Sequence, residues 1–138
     1  MIIFKHRMYK SLIMRIARFW RSACWLAIIF ILTFLPGNEV NKIKMFHHAD
    51  KLIHLFLFIV LSILLLYDMN KFHKVTGIGI YRIFVVITTG ICAGIFTEVI
   101  QYFYIPGRTG SITDFMSDFT GIIIGLILYK LTGQQVKS

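Results

Sequence analysis

Five ionisable residues that could do acid–base chemistry lie beside long apolar runs in this 138-residue chain. They are Asp50, His54, Glu98, Asp114 and Asp118, and their basic neighbours are Lys51 and Arg108. A charge near hydrocarbon costs several kcal/mol unless it is paired or hydrated, so such residues are functional candidates. A histidine beside carboxylates can serve as a general base, and the same residue types bind divalent cations.

Helical spacing predicts that these polar side chains share helix faces. The pairs are Asp50 with His54, Asp114 with Asp118, and Glu98 with Gln101, each three or four residues apart. Two GxxxG spacings continue the faces of the last two pairs, Gly121 with Gly125 and Gly90 with Gly94. Because small residues let helix backbones approach closely in lipid, we expect these glycines to pack helices together.

The composition indicates a membrane protein. An apolar fraction of 57% and a mean hydropathy of +0.76 exceed what a soluble core of this size can hide from water. The net charge of +9 comes from residues that flank the apolar runs, so no nucleic-acid partner is expected. Cys24 and Cys92 fall inside apolar runs without a disulfide or metal-binding pattern, and no metal or cofactor is predicted.

The apolar runs divide the chain into three parts. Residues 1–21 carry basic and apolar side chains on opposite sides of a helical wheel, which predicts an amphipathic helix lying on the membrane surface. Residues 22–132 hold four predicted transmembrane helices in an all-α bundle, and 133–138 form a short tail. The predicted spans are roughly 20–35, 49–67, 83–104 and 112–131. A signal peptide is the alternative for the first span, but the A-x-A cleavage pattern is missing.

Lysine and arginine counts predict the orientation. Eleven of these residues fall in segments on one side of the predicted membrane and four on the other. The positive-inside rule then places both termini in the cytoplasm and the candidate site at the outer ends of the spans. The inner halves of the spans are expected to lack polar residues, which argues against a permeation path.

Each candidate also has a plainer interpretation. Asp50 could be the N-cap of its helix, and Ser111-x-x-Asp114 resembles a capping box. His54 could be a neutral core histidine, and Glu98 could pair internally with a cation. Arg108 follows Pro106-Gly107 and could either join such a pair or present its guanidinium to an anion.

The order of these motifs resembles the VanZ-like family of small bacterial membrane proteins. The resemblance covers about residues 23–130 and rests on Asp50-Lys51-x-x-His54, Glu98-x-x-Gln101, Pro106-Gly107-Arg108 and Asp114-x-x-x-Asp118-x-x-Gly121-x-x-x-Gly125. Members often have asparagine where this chain has Asp118, and phenylalanine where it has Leu55. The resemblance implies a multi-pass protein of the bacterial cytoplasmic membrane with a role in the cell envelope, and the namesake is associated with teicoplanin resistance.

These features predict a site that binds or modifies an envelope lipid or a lipid-linked cell-wall component. His54, Glu98 and Asp114 are the candidate catalytic residues, and the candidate ligand-binding residues are Asp50, Lys51, Gln101, Arg108 and Asp118. The lipid bilayer is the expected partner. The alternatives are a divalent cation site, a proton-relay or transport protein that needs homo-oligomerisation, and a structural scaffold whose charges pair internally.

Overall fold

The computed structural model describes residues 17–34, 49–70, 78–105 and 111–133. Regular structure in these ranges is helical throughout, as predicted. A short 3-10 turn, Ala17–Phe19, leads into four α-helices: α1 Trp20–Thr33, α2 Ala49–Asn70, α3 Ile80–Tyr104 and α4 Ile112–Gly133. The predicted surface helix falls mostly outside the described residues, and positions 20 and 21 belong to α1.

Three of the four predicted spans are long and apolar enough to cross a membrane, namely α2, α3 and α4. Their 22 to 25 residues correspond to about 33–38 Å, against about 30 Å of hydrocarbon. Helix α1 has only 14 residues, or about 21 Å, so its crossing of the membrane stays a prediction. The interior of each helix is rich in leucine, isoleucine and phenylalanine and contains no proline.

Two helices are longer than the sequence predicted. Helix α2 continues past residue 67 to Asn70, and α3 begins at Ile80, three residues before the predicted start. In both places the extra turn contains a polar side chain that is buried in the bundle, Asp68 in α2 and Arg82 in α3. A span predicted from hydropathy alone ends before such polar residues, whereas the helices of the packed bundle contain them.

Helix α2 forms the centre of the bundle. It contacts the other three helices and packs most extensively against α4. Its buried face consists mainly of Phe58, Leu61, Leu65 and Leu66, each no more than 5% exposed. Burial of these apolar side chains against each other fixes which face of α2 points inward.

Glycines let α4 lie directly on the backbone of α2. A Cβ atom added at Gly121 would lie 2.5 Å from the carbonyl oxygen of Leu55, and one added at Gly125 would lie 2.7 Å from that of Ile59. Both distances are below any ordinary contact of a Cβ atom, so only glycine fits at these positions. The close approach begins one turn from the predicted site, and it therefore sets the distance between the polar residues of α2 and α4.

Candidate functional site

The predicted polar residues meet where α2 and α4 begin and α3 ends, a region called here the His54 end. Asp50 and His54 lie in the first two turns of α2, and Asp114 and Asp118 lie in the first two turns of α4. Glu98 lies in the last two turns of α3. Because α2 and α4 run in the same direction and α3 runs in the opposite direction, the ends that carry these side chains come together.

A direct contact between His54 and Asp118 links α2 to α4. The Nδ1 atom of the imidazole lies 2.9 Å from Oδ1 of the carboxylate, across 64 residues of sequence. Asp118 is 1% exposed and His54 is 6% exposed, so the pair is shielded from solvent. A carboxylate fixes the orientation and tautomer of a histidine in this arrangement, which leaves Nε2 as the ring atom free of this contact.

Glu98 connects the end of α3 to the start of α4. Its Oε2 atom accepts a hydrogen bond of 2.6 Å from the backbone N–H of Ser111, the residue before α4. The capping-box interpretation expected the side chain of Asp114 to reach back to that N–H, but the acceptor comes from another helix. The hydroxyl of Ser111 contacts Thr113, accepting from its backbone N–H at 3.3 Å.

Three buried polar atoms at the His54 end have no hydrogen-bond partner among the described residues. They are Oε1 of Glu98, Nε2 of Gln101 and Oδ2 of Asp118. A buried polar atom without a partner costs about 1–3 kcal/mol, so most native proteins satisfy nearly all of them. Within the described part of the chain, the two carboxylate oxygens could accept a hydrogen bond from a ligand or coordinate a cation, and the amide nitrogen could donate a hydrogen bond.

The carboxylates form two overlapping groups around one histidine. Ligand atoms of His54, Glu98 and Asp118 lie within 4.8 Å of one another, and the same is true of Asp50, His54 and Asp114. His54 belongs to both groups. Among the described residues, the site therefore brings four carboxylates from three helices close to one imidazole.

Gly94 makes room for the carboxylate of Asp118. A Cβ atom added at Gly94 would lie 3.1 Å from Oδ2 of Asp118 and 3.4 Å from the ring of Phe115. One turn earlier, Gly90 receives the side chain of Ile122 in the same way. The spacing Gly90–Gly94 thus fits α3 against α4, whereas the spacing Gly121–Gly125 fits α4 against α2.

A cavity of about 410 Å³ lies between α3 and α4 beside these residues. Its polar lining consists of Glu98 and Ser111, and its apolar lining consists of Ile95, Val99, Tyr102, Phe103, Ile112 and Phe115. Several of the apolar side chains are more than half exposed, as expected of residues that face acyl chains in a bilayer. An amphiphile could therefore enter from the side of the bundle and reach the Glu98 carboxylate.

The remaining predicted residues are placed only in part. Gln101 is buried one turn beyond Glu98 on the same face of α3. Lys51 is half-buried in the first turn of α2. Arg108 and the turn Pro106-Gly107 lie outside the described residues, so their predicted roles stay predictions.

A second polar cluster was missed by the sequence analysis. Oδ2 of Asp68 accepts hydrogen bonds from the backbone N–H and the hydroxyl of Ser22, at 3.1 and 2.7 Å, and a guanidinium nitrogen of Arg82 donates to Asn70 at 2.9 Å. The expectation that this half of the spans lacks polar residues is wrong. An acid at the end of an apolar run, among flanking charges that are otherwise basic, was the available signal.

A comparison with protein families identifies the chain. The model of the VanZ/LLP1 family matches residues 5–133, which include all four helices and every candidate site residue. The chain belongs to the VanZ/LLP1 family. This result confirms the resemblance that the motifs predicted. No curated protein and no solved structure matched the chain.

Proposed function

We propose that this VanZ/LLP1 membrane protein binds or modifies an envelope lipid or a lipid-linked cell-wall component. The cavity between α3 and α4 carries the proposal, because its lining is apolar except for Glu98 and Ser111. Its volume of about 410 Å³ lies within the range of ligand pockets, about 300–1,000 Å³. An acyl or prenyl chain would occupy the apolar part.

The chemistry of the His54 end favours a head group rich in hydrogen-bond donors. Glu98 Oε1 is buried beside the cavity without a partner among the described residues, and a sugar hydroxyl would satisfy it. Gln101 Nε2 would donate to an oxygen of the same head group. Lys51 and Arg108 remain the predicted partners of a phosphate or carboxylate.

If a reaction takes place, His54 is the best general base. Its contact with Asp118 fixes the ring, as a carboxylate does for catalytic histidines in other proteins. Glu98 and Asp114 would then orient the head group or donate a proton. In the predicted orientation, this chemistry would take place at the outer leaflet of the bacterial cytoplasmic membrane. A contribution to teicoplanin resistance would arise at the same leaflet.

A pocket-filling substitution tests lipid binding directly. Val99→Trp places an indole in the cavity, and Ile127→Trp places one on a lipid-facing position of α4 that does not line it. Lipids retained by each purified protein are identified by native mass spectrometry. We expect wild type and Ile127→Trp to retain the same lipid and Val99→Trp to lose it, with a matching loss of any protection from teicoplanin.

Equal lipid retention by Val99→Trp and wild type would exclude the cavity as the binding site. The scaffold alternative is supported by the contacts His54–Asp118 and Glu98–Ser111, which join helices. It predicts that Glu98→Gln and His54→Gln lower the stability in detergent without a selective loss of lipid. Loss of lipid at wild-type stability would favour the binding site over the scaffold.

A further inference from the structure

The acidic group at the His54 end has the composition and spacing of a cation site. His54, Glu98 and Asp118 come from α2, α3 and α4, and their ligand atoms lie within 4.8 Å of one another. A cation with bonds of about 2.1–2.4 Å separates opposite ligands by about 4.2–4.8 Å. We propose that these three residues bind one divalent cation of the Zn²⁺ or Mn²⁺ class.

The contact between the imidazole and the carboxylate agrees with this geometry. Nδ1 of His54 and Oδ1 of Asp118 are 2.9 Å apart. Adjacent ligands of an octahedral ion with bonds of about 2.1 Å are separated by about 3.0 Å. The two side chains can therefore exchange a shared proton for a shared cation with little movement of either helix.

Unpartnered oxygens supply an independent indication of a ligand. Asp118 is 1% exposed, and its Oδ2 atom has no hydrogen-bond partner among the described residues; the same holds for Oε1 of Glu98. Both carboxylates belong to the three-residue group. Coordination would satisfy oxygens that the described residues leave without donors.

The balance of charge points the same way. Glu98 and Asp118 bring two carboxylates to one imidazole within the three-residue group. Buried carboxylates in close proximity repel one another unless cations or protons neutralise them. A divalent cation would offset two of these charges at the most buried part of the site.

The ligand types indicate which cation would bind. Mg²⁺ and Ca²⁺ prefer oxygen ligands throughout, whereas an imidazole nitrogen suits transition cations. One histidine with two carboxylates fits Zn²⁺ and Mn²⁺ and leaves coordination positions for water or a head-group oxygen. The site rests on His54, Glu98 and Asp118 alone, so it does not depend on the proposed lipid function.

Electron paramagnetic resonance of Mn²⁺ tests the site on the full, tag-free chain after chelator treatment in detergent. We expect one Mn²⁺ per chain, displacement by Zn²⁺ but not by equimolar Mg²⁺, and nitrogen modulation of the bound-Mn²⁺ signal. His54→Gln should abolish the nitrogen modulation. Asp118→Asn and Glu98→Gln should each weaken Mn²⁺ binding by at least about 10-fold.

Two control variants keep the ligand set intact. The double substitution of His47 and His48 by glutamine removes neighbouring histidines, and Asp68→Asn removes a buried carboxylate far along α2. Both should bind Mn²⁺ as wild type does. Circular dichroism checks the folding of each variant. If a ligand variant does not fold, Gly94→Ala replaces it, because this substitution crowds the Asp118 carboxylate and keeps every ligand.

The proposal would be overturned if the wild-type protein bound no Mn²⁺ at Mn²⁺ concentrations up to about 1 mM. It would also be overturned if the well-folded variants Asp118→Asn, Glu98→Gln and Gly94→Ala bound Mn²⁺ with the affinity of wild type. The Val99→Trp variant separates this result from that of the lipid proposal. It fills the cavity without removing a ligand, so a cation site would survive in a protein that no longer retains lipid.

Discussion

Gly121→Ala should destabilise the bundle even though alanine is the better helix former. The added Cβ atom would lie 2.5 Å from the carbonyl oxygen of Leu55 and 3.1 Å from Cβ of Phe58, whereas ordinary contact begins at 3.4 Å. Relief therefore requires α4 to move away from α2 by about 0.9 Å, the difference between 3.4 and 2.5 Å. A backbone oxygen cannot rotate aside, so the movement involves the whole helix.

The magnitude follows from two opposing terms. Overpacking of a tight interface costs about 1–3 kcal/mol, and the backbone contact puts Gly121→Ala at the upper end. Replacing a helical glycine by alanine returns about 1 kcal/mol of helix propensity. The expected net loss in the free energy of unfolding is about 2 kcal/mol, or roughly 30-fold in the unfolding equilibrium.

The assay is reversible unfolding of the purified protein in mixed micelles, with increasing SDS, followed by circular dichroism. Gly79→Ala, at the N-cap of α3, is the control for an added methyl group, since no atom lies within 4 Å of a Cβ atom at that position. Separation of α4 from α2 should also stretch the 2.9 Å contact between His54 and Asp118 and weaken Mn²⁺ binding. Equal stability of Gly121→Ala and Gly79→Ala would refute the argument that backbone contact sets the helix spacing.

Two further substitutions test regions away from the His54 end, namely the apolar core and the second polar cluster. Phe58→Ala removes a side chain that is 0% exposed, and it should cost about 3–5 kcal/mol in the same unfolding assay; a loss under about 1 kcal/mol would contradict the placement of α2 at the centre. Asp68→Ala removes the acceptor of two hydrogen bonds from Ser22, so it should cost about 1–3 kcal/mol while leaving the Mn²⁺ affinity unchanged. A drop in Mn²⁺ affinity would show that the two ends of the bundle are coupled.

Local pattern was sufficient to predict the helices and their polar faces. Residues three or four apart share a face of any α-helix, so Asp114 and Asp118 had to point the same way once α4 was recognised. The apolar runs predicted four transmembrane helices, and three of these helices are long and apolar enough to cross a membrane. The family resemblance could likewise be read from motif order, because its residues occur in a fixed sequence along the chain.

Only the tertiary structure decided which polar groups meet. The contact between His54 and Asp118 joins residues 64 apart, and the hydrogen bonds from Ser22 to Asp68 join residues 46 apart. Periodicity within one helix carries no information about such partners, since they depend on how helices pack and rotate against one another. For the same reason Glu98, and not Asp114, proved to be the acceptor for the N–H of Ser111.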